Sequence, residues 1–87
     1  MRRVIGGKVY DTETAHGLAV AQRGLGHREE LYRTRKGNYF LAHWTQWDGE
    51  HSTIEPVDDE TAREFLDRLN TAEASEALEE YFTTEEA

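Results

Sequence analysis

The side chains best suited to metal binding in this sequence are its four histidines, His16, His27, His43 and His51. Two imidazoles bind one metal ion most readily from the same face of a helix, four residues apart, and zinc sites often add cysteine thiolates. No two of these histidines have that spacing, and the chain contains no cysteine. The pattern predicts no metal site and no cofactor, with His27 and His51 in loops and His43 half-buried on a strand.

The densest group of residues that could act in nucleophilic catalysis is the segment DGEHS, residues 48–52. A serine nucleophile needs a histidine base and a carboxylate arranged in space, and closeness along the chain does not supply that geometry. The GGK run at residues 6–8 is followed by Val9, whereas a phosphate-binding loop requires Ser or Thr after the lysine. We therefore expect no catalytic residues and no enzymatic activity.

A basic and aromatic segment gives the alternative function. The basic side chains are Arg33, Arg35 and Lys36, and the aromatic residues near them are Tyr32, Tyr39 and Trp44. Cations interleaved with aromatic rings can bind single-stranded nucleic acid through phosphate contacts and base stacking. The sequence pI of about 4.9 opposes this function, because an acidic domain repels nucleic acid unless its acids lie on another side.

Charge is divided unequally along the chain. Residues 1–47 contain eight lysines and arginines against four acids, residues 48–87 contain two against fourteen, and the formal net charge of the whole is -8. Such asymmetry is typical of a charged binding surface or an acidic tail. The acids after residue 57 either form a solvated face that keeps the protein soluble or complement a basic, nucleic-acid-binding groove.

The elements that position these residues begin with a hairpin over residues 4–10, predicted by two glycines between short apolar runs. Asp11 and Thr12 offer a helix N-cap, and apolar residues at positions 15, 18 and 19 have helical spacing, so we expect a short helix that ends near Arg23. The clearest hairpin pairs residues 31–35 with residues 39–44. The second of these strands has apolar residues on both sides, so both faces of the sheet should be covered.

The C-terminal half changes from strand to helix periodicity. Residues 52–55 predict an edge strand closed by Pro56. One amphipathic helix is predicted from Asp58, and a second from Thr71, because the apolar stripe changes phase after Asn70. The fold class is therefore α+β: an antiparallel sheet of about four to five short strands, made of two hairpins and an edge strand, packed by one short N-terminal helix and two acidic C-terminal helices.

The length of 87 residues allows one hydrophobic core, so residues 1–87 are expected to form a single domain. The first eight residues contain no long apolar run, which predicts neither an export signal nor a membrane-spanning segment. The absence of cysteine fits a reducing compartment. We expect the protein to act in the cytoplasm.

Two stretches carry a family resemblance: IGGKVYDTETA, residues 5–15, and LYRTRKGNYFL, residues 31–41. They resemble the signature stretches of a family of small proteins from phages, plasmids and other mobile elements, which includes anti-CRISPR inhibitors of type I systems. The sequence departs from that family where a glycine-rich insertion would follow the second hairpin strand. The resemblance implies an inhibitor that acts in the host cell and has a CRISPR–Cas complex as its partner.

Taken with the charge pattern, the resemblance favours an inhibitor that imitates nucleic acid. In this hypothesis an acidic surface binds the basic, nucleic-acid-binding surface of a type I surveillance complex and blocks target DNA, without itself contacting nucleic acid or membrane. The predicted partner-binding residues are Asp58, Asp59, Glu60, Glu64, Asp67, Glu73, Glu76, Glu79 and Glu80, with Tyr81 and Phe82 as apolar anchors. The alternative is a nucleic-acid-binding accessory or regulatory protein of a mobile element that uses Arg33, Arg35 and Lys36.

Overall fold

The computed structural model describes all residues from 1 to 87 and contains six strands followed by two helices. These are β1 (Arg2–Ile5), β2 (Lys8–Asp11), β3 (His16–Gln22), β4 (His27–Arg33), β5 (Tyr39–Thr45), β6 (Thr53–Val57), α1 (Asp59–Leu69) and α2 (Ala72–Tyr81). The predicted α+β class is confirmed. The number of strands is higher than expected, because one segment predicted to be helical forms a strand.

The predicted N-terminal hairpin is confirmed as a separate two-stranded sheet of β1 and β2. Its turn consists of Gly6 and Gly7, which have φ values of 57° and 77°. Two successive positive φ values give a turn whose twist matches that of the paired strands, and glycine adopts them without steric cost.

The larger sheet has the strand order β3-β4-β5-β6, and every neighbouring pair is antiparallel. The hairpin predicted over residues 31–44 is confirmed as β4 and β5. The predicted edge strand is also confirmed, as β6, although it continues through Pro56 to Val57. Since the sheet is open, β3 and β6 are its two edges.

The predicted helix between Asp11 and Arg23 is wrong. Asp11 does cap a turn, since its side chain accepts from the Glu13 N–H at 2.9 Å and its carbonyl from the Ala15 N–H at 3.0 Å, but only one turn forms. The chain then enters β3. A register shift between Gly17 and Ala19 buries both Leu18 and Ala19, and this irregularity produces the apparent helical spacing.

Each face of the larger sheet has its own apolar cluster, as the pattern of β5 predicted. On one face Leu31 and Leu41 pack with Leu66 and the other inward residues of the two helices. On the other face Phe40 contacts Tyr10 of β2, with ring centroids 5.5 Å apart. The helices and the N-terminal hairpin therefore cover opposite faces of the sheet.

The two C-terminal helices begin where the sequence predicts. Asp58 is the N-cap of α1 and Thr71 the N-cap of α2, and each side chain accepts a hydrogen bond from the backbone N–H three residues later. Asn70 ends α1 in the left-handed conformation, with φ of 50°. Neither helix has the length and apolarity needed to cross a bilayer.

Candidate functional site

Nine carboxylates of α1, α2 and the cap before α1 form what we call the acidic helical face. Its members are Asp58, Asp59, Glu60, Glu64, Asp67, Glu73, Glu76, Glu79 and Glu80, and all nine are exposed. Only Arg63 and Arg68 carry positive charge within residues 58–82, so this segment has a formal net charge of -7. The structure thus places every predicted acidic site residue on the solvent side of two adjacent helices.

Small and apolar residues orient this face by fixing the opposite side of each helix. Ala62 and Leu66 of α1 and Ala74 of α2 have no exposed surface, and Ala77 is 5% exposed. Alanine lets α2 approach the sheet closely, since little side-chain volume separates the helix from the strands. The i, i+3 and i+4 spacing of the buried residues leaves the carboxylates pointing outward.

Few cations neutralise the acidic helical face. Arg63 Nη1 lies 3.1 Å from Asp67 Oδ2, and this is the one ion pair of the two helices. Arg68 forms no ion pair. The Asp58 carboxylate accepts the hydrogen bond of the helix cap from Thr61, which holds its pKa below the ordinary value. The other carboxylates remain available to positive groups from outside the molecule.

The two predicted apolar anchors face the protein itself. The ring of Phe82 stacks on Tyr39 of β5, with centroids 5.4 Å apart. The guanidinium of Arg33 lies 4.5 Å from the centroid of Tyr81, and burial together with the neighbouring Glu80 raises the pKa of the Tyr81 hydroxyl. Both aromatic residues are half-buried, and they attach the end of α2 to the sheet.

A groove of about 310 Å³ separates α2 from the edge of β3. The groove is lined by Glu73, Glu76 and Glu80 of α2, which follow one another at i, i+3 and i+7, and by Glu30 of β4. The hydroxyl of Tyr32 donates to Glu30 Oε1 at 2.8 Å and orients that carboxylate beside Gly17. Four carboxylates therefore surround a strand edge.

A second group of charged residues, which we call the histidine–glutamate network, lies at the far end of β4 and β5. It comprises Arg23, His27, Glu29, His43, Glu50 and Glu55. His43 joins two carboxylates, with Nδ1 2.7 Å from Glu29 and Nε2 2.8 Å from Glu55. The pairing of β4 with β5 was the signal that could have revealed this contact, because Glu29 lies directly opposite His43 in that register.

The rest of the histidine–glutamate network surrounds Glu50. This carboxylate accepts from Thr45 Oγ1 at 2.6 Å and lies 2.8 Å from His27 Nε2, and these hydrogen bonds lower its pKa. The Ser52 hydroxyl accepts a hydrogen bond from the backbone N–H of Thr45. His51 forms no hydrogen bond with Ser52. The segment at residues 48–52 thus contributes a carboxylate to an ion-pair network and does not assemble a serine–histidine pair.

The basic and aromatic residues of the predicted hairpin lie in different environments in the fold. Tyr32 and Tyr39 are only 7% and 5% exposed, so neither ring is free to stack on a base. The guanidinium of Arg33 lies over Tyr39 and Tyr81. Arg35 and Lys36 are exposed and line a different cleft, together with Lys8 of β2.

Comparison of the chain with known protein families, curated proteins and solved structures found no match. The resemblance to proteins of mobile elements therefore stays a prediction from residues 5–15 and 31–41.

Proposed function

We propose that this protein is an inhibitor that works by occupancy: the acidic helical face binds a basic, nucleic-acid-binding surface of a partner complex and blocks it. The observation that carries the proposal is the exposure of nine carboxylates on two adjacent helices with one ion pair among them. Like charges at helical spacing destabilise the folded state, so this arrangement has an energetic cost. A cationic partner surface would offset that cost by supplying the missing positive charges.

The partner follows from the sequence resemblance. A type I CRISPR surveillance complex has basic channels that hold nucleic acid, and acidic side chains on rigid helices can complement such a channel. Electrostatic steering would make association fast and sensitive to salt. The protein would act where that complex acts, in the cytoplasm of the host cell.

The test is a competition experiment with a purified type I surveillance complex and its target DNA. The wild-type protein should reduce DNA binding in a gel-shift assay, and the quadruple variant with Glu73, Glu76, Glu79 and Glu80 changed to lysine should not. Circular dichroism and thermal unfolding would establish that the variant is folded. Undiminished inhibition by the folded variant would disprove the proposal.

A matched pair of variants separates position from total charge. Glu73→Lys with Glu76→Lys changes the net charge by the same amount as Glu85→Lys with Glu86→Lys beyond the end of α2. We expect a large loss of inhibition from the first pair and little from the second. Equal losses would mean that overall charge, and not this surface, determines binding.

The cleft of Lys8, Arg35 and Lys36 favours a second function, the binding of nucleic acid. These three side chains line one cleft between the N-terminal hairpin and the turn after β4. A gel shift with single- and double-stranded DNA at low salt tests it. Binding that is lost on changing Arg35 and Lys36 to alanine would support this function, and no binding by the wild-type protein would exclude it.

A further inference from the structure

The edge of β3 is the one long strand edge that the fold leaves without a partner. β3 has seven residues and pairs on one side only, with β4. The other sheet edge, β6, has five residues and includes Pro56, whose missing N–H weakens pairing with a further strand. Natural proteins usually protect a free edge with lysine, proline, an inward charge or a β-bulge. The register shift of β3 lies between Gly17 and Ala19, and the regular part of the edge, residues 19–22, contains none of these devices.

The direction of the free backbone groups follows from the hairpin that joins β3 to β4. The Arg23 N–H donates to the carbonyl of His27 at 3.0 Å. Because residues of an antiparallel strand alternate between facing the partner and facing away, Ala21 and Ala19 face β4, and Val20 and Gln22 direct their N–H and C=O outward. These groups are a template for an added strand.

The groove beside α2 gives this edge a preference for one kind of occupant. The end of α2 lies beside the start of β3, since Arg33, which pairs with His16, contacts Tyr81. Along the helix, Glu73 to Glu80 span about 10 Å, which matches about three residues of an extended chain. In such a chain alternate side chains are about 7 Å apart on one face, so two basic residues separated by one other residue would both reach the carboxylates of α2.

Charge decides between a second copy of this protein and a basic partner. If two copies paired through β3, Glu30 and the α2 carboxylates of each copy would be brought close to those of the other. That arrangement adds like charges in a groove whose lining residues include no lysine or arginine. A strand rich in lysine or arginine instead supplies backbone pairing and opposite charge together.

We infer that the edge of β3 binds an extended basic segment of a partner protein as an added strand, with alternate lysine or arginine side chains directed to Glu73, Glu76 and Glu80. This inference rests on the proposed function, because it identifies the part of the acidic helical face that a partner segment uses. It goes further because strand addition requires backbone hydrogen bonds between the partner segment and β3, whereas attraction between charges alone requires none.

The test uses a synthetic peptide of alternating valine and lysine, seven residues long with blocked ends, and the full protein. Binding is followed by fluorescence anisotropy, and amide hydrogen exchange is followed by NMR. We expect the exchange of the Val20 and Gln22 amides to slow at least tenfold on binding, with no change at β6. The same peptide carrying N-methyl groups on the residues that face β3 should bind at least tenfold more weakly.

Two sets of variants provide the controls. Val20→Pro removes an outward N–H that makes no bond to β4, so we expect a folded protein that binds the peptide at least tenfold more weakly although every carboxylate remains. Glu73→Gln with Glu76→Gln should also weaken binding, whereas Glu85→Gln with Glu86→Gln, beyond the end of α2, removes the same charge and should have little effect. If Val20→Pro fails to fold, the N-methylated peptide supplies the same comparison without altering the protein.

Three outcomes would overturn the inference. The first is equal affinity for the methylated and unmethylated peptides without protection of Val20 and Gln22, which would leave electrostatic binding and the proposed function in place. The second is no binding of either peptide at low salt, a result that the separate competition experiment with the surveillance complex does not depend on. The third is protection of these amides in the protein alone at concentrations where sedimentation shows a dimer, because a second copy would then occupy the edge.

Discussion

The two charged regions of this molecule differ in whether their carboxylates have cationic partners. In the histidine–glutamate network, Glu29 contacts both Arg23 and His43, at 2.6 and 2.7 Å, and Glu50 and Glu55 each contact a histidine. On the acidic helical face, one carboxylate of nine has a cationic partner. The same side chain is therefore a structural partner in one region and an unneutralised charge in the other.

The difference comes from the elements that carry the two regions. In the sheet, register brings residues from different parts of the chain together, so that Glu29 lies directly opposite His43. On the helices, eight of the thirteen exposed positions are acids and two are arginines, and Glu76 of α2 has Glu73, Glu79 and Glu80 within one turn. Charges of the first region are paired within the fold, and charges of the second are available to other molecules.

The largest effect on the free energy of unfolding is expected from weakening the packing of the two helices against the sheet. Leu66 of α1 has no exposed surface and packs in the cluster that joins both helices to β3, β4 and β5. Leu66→Ala should lower the free energy of unfolding by about 2–5 kcal/mol, because it removes buried apolar surface and leaves a cavity. Urea unfolding followed by circular dichroism measures this loss.

The matched control for that prediction is Leu25→Ala, in the loop between β3 and β4. Leu25 is 87% exposed, so the same chemical change should alter the free energy of unfolding by less than about 0.5 kcal/mol. Equal losses in the free energy of unfolding from the two substitutions would contradict the packing of α1 against the sheet.

Changing glutamate to glutamine should have an intermediate effect on the free energy of unfolding, with opposite signs in the two regions. Glu29→Gln removes the charge that Arg23 and His43 contact and should lower the free energy of unfolding by about 1 kcal/mol, since the site is partly exposed. Glu76→Gln removes one of several like charges and should raise it by roughly a few tenths of a kcal/mol at low salt. Thermal and urea unfolding of both variants check the signs.

Salt sharpens this contrast. In 1 M salt the Debye length falls to about 3 Å, so repulsion between exposed carboxylates on α2 is screened. The gain from Glu76→Gln should then disappear, while part of the loss from Glu29→Gln should remain, because Glu29 makes direct hydrogen-bonded contacts. A stabilising effect of Glu29→Gln under either condition would contradict the role of the histidine–glutamate network.

The regular parts of the fold could be predicted from the sequence because their signals are local. Gly6 and Gly7 specify a hairpin turn, Asp58 and Thr71 cap the two helices, and Asn70 separates them. The segment His16–Gln22 could not be predicted, since alanine-rich residues have little strand preference and the irregular register at Leu18 conceals the alternation of a strand. Pairing with β4, which is a tertiary contact, determines its conformation.

The candidate site was only partly accessible to the same reasoning. The helical pattern placed all nine acids outside the apolar stripes of the two helices, and in the structure all nine are exposed. The groove beside Glu73 and Glu76 was not foreseen, because it requires β3 to be a strand at the edge of the sheet. The inward packing of Tyr81 and Phe82 was also missed, since the amphipathic stripe alone does not tell whether an aromatic residue at a helix end meets the sheet or a partner.

The smallest contrast is the difference between the two helix caps in how their contribution to stability responds to acid. Asp58 and Thr71 accept equivalent hydrogen bonds, at 2.8 and 3.1 Å, but only the aspartate titrates. Because the folded pKa of Asp58 lies below its unfolded value, its contribution is complete above about pH 4 and is lost as the pH falls through the folded value. Asp58→Ala should therefore lower the melting temperature at neutral pH and have progressively less effect in acid.

Thr71→Ala is the control for this prediction, because it removes a cap that carries no charge. Its cost, about 1 kcal/mol, should be nearly constant across the same pH range. The quantity to compare is the difference in melting temperature between each variant and the wild-type protein, measured by circular dichroism at a series of pH values. A pH-independent cost of Asp58→Ala would mean that the charge of this carboxylate does not contribute to the cap of α1, and Asp58 would then resemble Thr71, whose hydrogen bond caps a helix without any charge.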